Sequence, residues 1–213
     1  MSVSQDHSPR EQRRRQALAR RREDVIAAAS RVFAAKGFAG AGMAEIASAA
    51  ELSLASLYGV FRSKEGLYQE VIHSAARAVQ KAVQERVDRE TRPGERLLCL
   101  IDALLDCFEE NRDLLGIVFR GTHGLPWRLR DAMGPPAEDV VAEFEGWVVE
   151  LAREAHGHGD LTCADPEVFA RALLGAVTST AAHWIEMRPS RPLAPVAGDL
   201  RRIFARALEG GEG

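Results

Sequence analysis

The stretch GMAEIASAAELSLASLYGVFRSK, residues 42–64, decides how the rest of the chain is read. Met43, Ile46, Ala47 and Ala50 fall at i, i+3, i+4 and i+7, so they predict a short helix with one apolar face. Glu51 and Leu52 interrupt that pattern. Ser53 then offers an N-cap, and Leu54, Leu57, Tyr58 and Phe61 repeat the helical spacing. Ser63 is a further cap, with Glu65 in the first turn of the helix it opens, where the macrodipole favours an anion. Two helices this short cannot bury themselves alone. Val25, Ala29, Val32 and Phe33 supply a third immediately upstream, ending at Lys36-Gly37 with a cation in its last turn and glycine beyond it. Three helices with a tight turn between the second pair form a helix-turn-helix, whose last helix is free to enter a DNA major groove.

In order and spacing, VIAAASRVFAAKGF (25–38), MAEIASAAELS (43–53) and SLYGVFRSKEGL (56–67) resemble the TetR family of one-component transcriptional regulators. The resemblance implies an all-α fold, with an N-terminal helix-turn-helix DNA-binding domain and a C-terminal helical bundle that binds ligand and dimerises. The expected division is a basic flexible arm at 1–21, the DNA-binding domain at 22–67 and the second domain at 68–213. Matched to the family's interface, Met43, Ala44, Ser53, Leu54, Ala55, Ser56, Tyr58, Gly59 and Lys64 are the expected DNA contacts. Tyr58 and Lys64 fall on the family's phosphate-contacting positions. The Tyr58 ring could equally complete the core, whereas Lys64 opens a helix, where a cation opposes the dipole and a phosphate partner would explain it. The chain departs from the family where it has Gly42 for a threonine cap, Ala44 for a basic residue and Glu51 for the turn glycine. Glu51 is thus expected at positive φ, at a cost of roughly 1 kcal/mol. With so few long polar side chains on the second helix, base reading is expected to rest on thymine methyls, Ser56 and DNA shape.

Charge is divided to match. The net charge of -3 is made of +5 over residues 1–64 and -8 over residues 65–213. A basic unit joined to an acidic body is the asymmetry of a DNA reader with a separate regulatory domain. Arg10, Arg13, Arg14, Arg15, Arg20, Arg21 and Arg22 concentrate in a polar segment with no apolar period. That segment reads as an unstructured arm up to about Arg20, neutralising phosphates or entering the minor groove, with Arg13, Arg14, Arg15 and Arg20 as its contacts.

Beyond the DNA unit the pattern is helical throughout, and no run shows strand alternation bounded by hairpin turns. One helix is predicted over 63–90, others over 94–111, 136–156 and 166–187, and a last one carries Leu200, Ile203, Phe204 and Leu208. Glycines and Pro126 break residues 114–133 into short helices around a bend. Phe108, Phe119, His123, Trp127, Phe144 and Trp147 could line an apolar cavity with a few polar groups, or be core. The resemblance implies such a pocket; periodicity does not show it. Ala172, Leu173, Ala176, Val177 and Thr180, with Phe204, form a wide face of small apolar residues suited to a homodimer interface.

Catalytic motifs are lacking: there is no phosphate-cradling glycine loop, nucleophile elbow or paired-carboxylate signature. HGHGDLTCAD (156–165) holds metal-capable side chains at no recognised spacing and reads as a polar loop, so no metal and no cofactor are expected. Cys99, Cys107 and Cys163 are too few for a disulfide framework and fit a reducing cytoplasm. No apolar run reaches membrane-spanning length. The expected function is a cytoplasmic repressor, not an enzyme, released from a palindromic operator by a small, largely apolar effector. The alternative is a helical small-molecule carrier or enzyme with an incidental three-helix domain.

Overall fold

The computed structural model describes residues 9–112, 115, 135–162, 165–187 and 190–208, and among them the chain forms eight helices and no strand. They are α1 (Pro9–Gly40), α2 (Met43–Ala49), α3 (Leu54–Val60), α4 (Lys64–Val87), α5 (Pro93–Glu110), α6 (Pro135–His158), α7 (Pro166–Met187) and α8 (Ala194–Leu208). Predicted and observed helix ends differ by three residues or fewer from α4 onward, ordinary for helix termini. The predicted bend at 114–133 lies outside the described residues apart from Leu115. The chain divides into two compact units, Met1–Val71 and Ile72–Gly213.

In the first unit α1, α2, α3 and the start of α4 surround Val25, Ala29, Phe33, Ile46, Leu57 and Leu67, all buried. The turns that join them are set locally. Gly37 at φ 70° interrupts α1 where the sequence places its end. Glu51 adopts φ 55°, with its N–H donating to the Ser48 carbonyl and the Leu52 N–H to that of Ala47, at 3.1 and 2.8 Å. This is the Schellman arrangement that normally selects glycine. At the start of α3 the Ser53 hydroxyl accepts from the Ser56 N–H at 3.1 Å, and the Ser63 hydroxyl accepts from the Gly66 N–H at 3.0 Å before α4.

One segment departs from expectation. The arm predicted to be unstructured up to about Arg20 is helical from Pro9 onward, with residues 10–21 exposed. The physical reason is propensity without burial. REQRRRQALARR is built of strong helix formers with no internal breaker, Glu11 complements the dipole, and proline is tolerated in a first turn.

The second unit is a bundle of α5 to α8 with the end of α4. Its core runs through Val83, Val87, Leu97, Ile101, Leu105, Val148, Leu151, Leu173, Val177 and Phe204. Phe169 and Phe204 meet edge to face at 5.6 Å, joining α7 to α8. Arg201 of α8 reaches Asp102 of α5 at 2.6 Å. Asp165 caps α7 through the Glu167 N–H at 2.8 Å, ahead of Pro166. The start of α5 is capped from far away in the chain: the Asp160 carboxylate accepts from the Gly94 N–H at 3.0 Å. A Cβ on Gly94 would lie 3.0 Å from that of Asp160, a contact tight enough that a larger residue there would push the capping carboxylate aside by a few tenths of an ångström. Asp160 is itself positioned by the turn after α6, where Gly159 at φ 87° permits the Asp160 N–H to reach the Ala155 carbonyl at 2.9 Å.

Candidate nucleic-acid interface

On α3 burial sorts the side chains onto two faces. Leu57 is fully buried, and Phe61, just past the helix end, is 4% exposed. Leu54, Ala55, Tyr58 and Gly59 are exposed, and Ser56 is half-buried. Tyr58 is 47% exposed, so the question left open in the sequence is decided against its completing the core. The outward face is short, nearly uncharged and small, suited to close approach to base edges and thymine methyls. The Ser53 hydroxyl donates to that of Ser56 at 2.9 Å, leaving the Ser56 hydrogen free to point elsewhere.

The other expected DNA contacts divide. Ala44 is exposed at the start of α2, but Met43 beside it is 9% exposed and belongs to the core. The Met43 side chain is therefore not available to DNA, because the apolar stripe that makes α2 amphipathic begins with it. Arg13, Arg14, Arg15 and Arg20 are exposed. Lys64 is half-buried, with its ammonium 4.6 Å from the centre of the Phe38 ring and 3.5 Å from the Ala39 carbonyl oxygen. A cation–π contact and a carbonyl thus already offset its unfavourable place at a helix start, so a phosphate partner is not required to explain it. Arg62, exposed in the turn between α3 and α4, is a cation at this edge that the sequence reading passed over. Its place beside Ser63 and Lys64 was the available signal. Arg22 was counted with the arm but faces inward: its guanidinium lies 4.4 Å over the Phe61 ring and pairs with Glu70 at 2.7 Å.

The second unit places its predicted residues less uniformly. Phe108 is buried in the core, and Phe144 and Trp147 are partly buried against it with ring centres 5.4 Å apart. Phe119, His123 and Trp127 lie outside the described residues, as does Cys163. A cleft of about 300 Å³ lies away from these aromatics, lined by Arg92, Gly94, Glu95, Leu98, Asp160 and Leu208. Burial pushes the Cys99 and Cys107 thiols up, with Arg86 opposing, so both stay protonated near neutral pH. On α7 the predicted dimer face is split. Leu173 and Val177 are fully buried in the unit's own core, as is most of Phe204, while Ala172 is exposed and Ala176 and Thr180 are half-buried. A helix apolar all round gives no sequence signal for which side faces in. The outward stripe is Val168, Ala172, Ser179, His183 and Met187, with Ile203 exposed on α8.

Among the described residues no helix is long and apolar enough to cross a membrane.

Comparison with known proteins agrees with this geometry. The family model described as bacterial regulatory proteins, tetR family, matches residues 25–71. The HTH-type transcriptional regulator Rv1255c of Mycobacterium tuberculosis is 36% identical over 141 residues, covering 60% of this chain and 70% of that protein. The HTH-type transcriptional activator FasR of Mycolicibacterium smegmatis is 31% identical over 103 residues, 48% of this chain and 47% of FasR. Among solved structures, the transcriptional regulator FadR of Bacillus subtilis in complex with stearoyl-CoA superposes with a TM-score of 0.71 at 16% identity, covering 87% of this chain and 98% of that one. With the helix-turn-helix and the helical body both in place, the chain belongs to the TetR family of bacterial regulatory proteins and is a DNA-binding transcriptional regulator rather than an enzyme.

Proposed function

We propose that the protein is a repressor that binds a palindromic operator as a homodimer in the cytoplasm and is released by a small, largely apolar effector. Members of the family bind operator DNA, form dimers and take small-molecule effectors. The observation that carries the proposal is the sorting of α3, with Leu57 buried while Leu54, Tyr58 and Gly59 face outward. A dimer mirrors its two-fold axis in the site it reads, so half-sites lie about one helical turn, roughly 34–36 Å, apart. In this reading residues 22–67 bind DNA and residues 68–213 bind ligand and dimerise. Val168, Ala172 and Met187 of α7 with Ile203 of α8 form the dimer interface, replacing Leu173, Val177 and Phe204.

The effector site is assigned to Phe108, Phe144 and Trp147 together with Phe119, His123 and Trp127. FadR of Bacillus subtilis, with its stearoyl-CoA, supports an apolar acyl group as the kind of molecule such a body takes. The route to DNA is α4, which runs unbroken from Lys64 to Val87 and supplies Leu67 to the first core and Val83 and Val87 to the second. An effector acts only through different affinities for the DNA-competent and incompetent dimers, so operator DNA must weaken effector binding by the factor by which effector weakens operator binding. Coupling of about 1–3 kcal/mol corresponds to some 5–150-fold. The test is a titration of long-chain acyl-CoA in both orders, with and without saturating operator. Equal affinity in the two arms refutes release by that effector, and tighter effector binding on operator makes it a ligand that strengthens the grip on DNA instead of releasing it.

A further inference from the structure

A helix cannot go where an extended arm can. With its side chains an α-helix is about 10–12 Å across, whereas the minor groove of B-DNA is about 6 Å wide. The helical segment Pro9–Arg21 is therefore excluded from the groove that an unstructured arm would enter. We propose instead that this part of α1 is a rigid basic strut, its arginines resting on the phosphates of the duplex that flanks each half-site. The proposal rests on the reading of α3 as the recognition helix.

Arg10, Arg13, Arg14 and Arg21 fall at i, i+3, i+4 and i+11, on one face of the helix with Ala17 between them. From Arg10 to Arg21 the rise is about 16 Å, long enough for the face to meet more than one phosphate of a strand. These arginines are also exposed to solvent. Among the described residues, Arg10, Arg13, Arg14, Arg15, Arg20 and Arg21 make no salt bridge, whereas in the second unit Arg77, Arg86, Arg96, Arg112, Arg153 and Arg201 each face a carboxylate. Like charges three and four apart weaken the helix that carries them, and a polyanion relieves that repulsion. The base of the strut is fixed to the reading unit. Arg22 lies 4.4 Å over Phe61, at the end of α3, and pairs with Glu70 of α4 at 2.7 Å. The direction of the basic face is thus tied to the helix that reads the bases, which a flexible tether would not provide.

Two changes in the full-length chain separate a strut from a tail. Arg10→Gln with Arg13→Gln and Arg14→Gln keeps the helix and removes charge. Ala17→Pro keeps every arginine and breaks the helix, because proline lacks the N–H and clashes with the Arg13 carbonyl. Ala17→Gly with Leu18→Gly is the milder version. Residues 10–21 are exposed, so the melting temperature should stay within a few degrees in all three. On a duplex selected by the wild-type protein, the glutamine variant should lose about tenfold in affinity. Its log–log salt slope should become shallower by roughly 2–3, at about 0.9 per lost contact. Ala17→Pro should lose most of the same affinity, and hydroxyl-radical protection outside each half-site should vanish in both. Wild-type affinity for Ala17→Pro beside a weakened glutamine variant overturns the strut in favour of a flexible tail. Protection of adenine N3 in the flanking minor groove overturns it as well. Unchanged binding by both variants removes the segment from the interface while leaving α3 as the reader. A wild-type protein that prefers no duplex overturns the α3 reading and the strut with it.

Discussion

Leucine occurs twice in α3, and the two residues should fail in opposite ways. Leu57 has no exposed surface, while Leu54 is 43% exposed. Truncating a buried leucine to alanine loses its transfer energy and leaves a cavity, together about 2–5 kcal/mol, a large part of a stability of roughly 5–15 kcal/mol. Leu57→Ala should therefore lower the urea midpoint strongly. Leu54→Ala removes a side chain that is only partly covered, and it should cost no more than about 1 kcal/mol of stability. Its loss should appear on DNA. Losing about two methylene groups of apolar contact, at about 0.8 kcal/mol each, corresponds to roughly tenfold weaker operator binding. The assay is urea denaturation followed by circular dichroism, with operator titration on the same preparations at a temperature where both variants are folded. Leu54→Ala that destabilises by more than about 2 kcal/mol, or that binds operator as tightly as wild type, refutes the assignment of α3's two faces.

Three further outcomes follow from local geometry. Glu51→Gly should stabilise the protein by about 1 kcal/mol, because φ 55° is strained for glutamate and free for glycine; a lower urea midpoint would contradict this. The Gly94 N–H, followed by His158 and Arg92, holds the Asp160 carboxyl below its ordinary value of 3.8. Its folded pKa is lower than its unfolded one, so its contribution is complete above the unfolded value and is lost as pH falls below about 4 through the folded value. Asp160→Ala should thus cost about 1–2 kcal/mol at pH 7 and flatten the acid limb of the stability profile; an unchanged limb would show the cap to be idle. Ala172→Arg, at an exposed position of α7, should give a folded monomer in sedimentation, whereas Leu173→Asp should unfold the bundle by burying an unpaired charge. A dimeric Ala172→Arg would move the interface off α7.

What was legible in the sequence is what is decided within a few residues. Ser53, Ser63, Gly37 and Asp165-Pro166 each act on backbone next to them, so the helix ends and the strained turn at Glu51 could be placed from residue order. The helix over Pro9–Arg21 leaves no apolar period in the sequence, because residues 10–21 are exposed and bury nothing. The Asp160 cap on α5 joins residues 66 apart, and nothing local at Arg92-Pro93-Gly94 announces it. For Lys64 residue order shows the helix dipole and the resemblance to a phosphate-contacting position but not the Phe38 ring, whose approach depends on how α1 and α4 meet. On α7, alanines and valines surround the helix, and only packing tells Leu173 and Val177, which face in, from Ala172, which faces out.

If α3 reads DNA from a two-fold symmetric dimer, the site it selects must carry the same symmetry. Selection of duplexes from random sequence by the full-length protein, followed by titration of the winner across a salt series, tests it most directly. The expected winner is an inverted repeat with half-sites about one turn apart, bound with a steep salt dependence and lost on Tyr58→Ala with Leu54→Ala. Enrichment of no repeat, or a selected site bound equally well by that double variant, would contradict it.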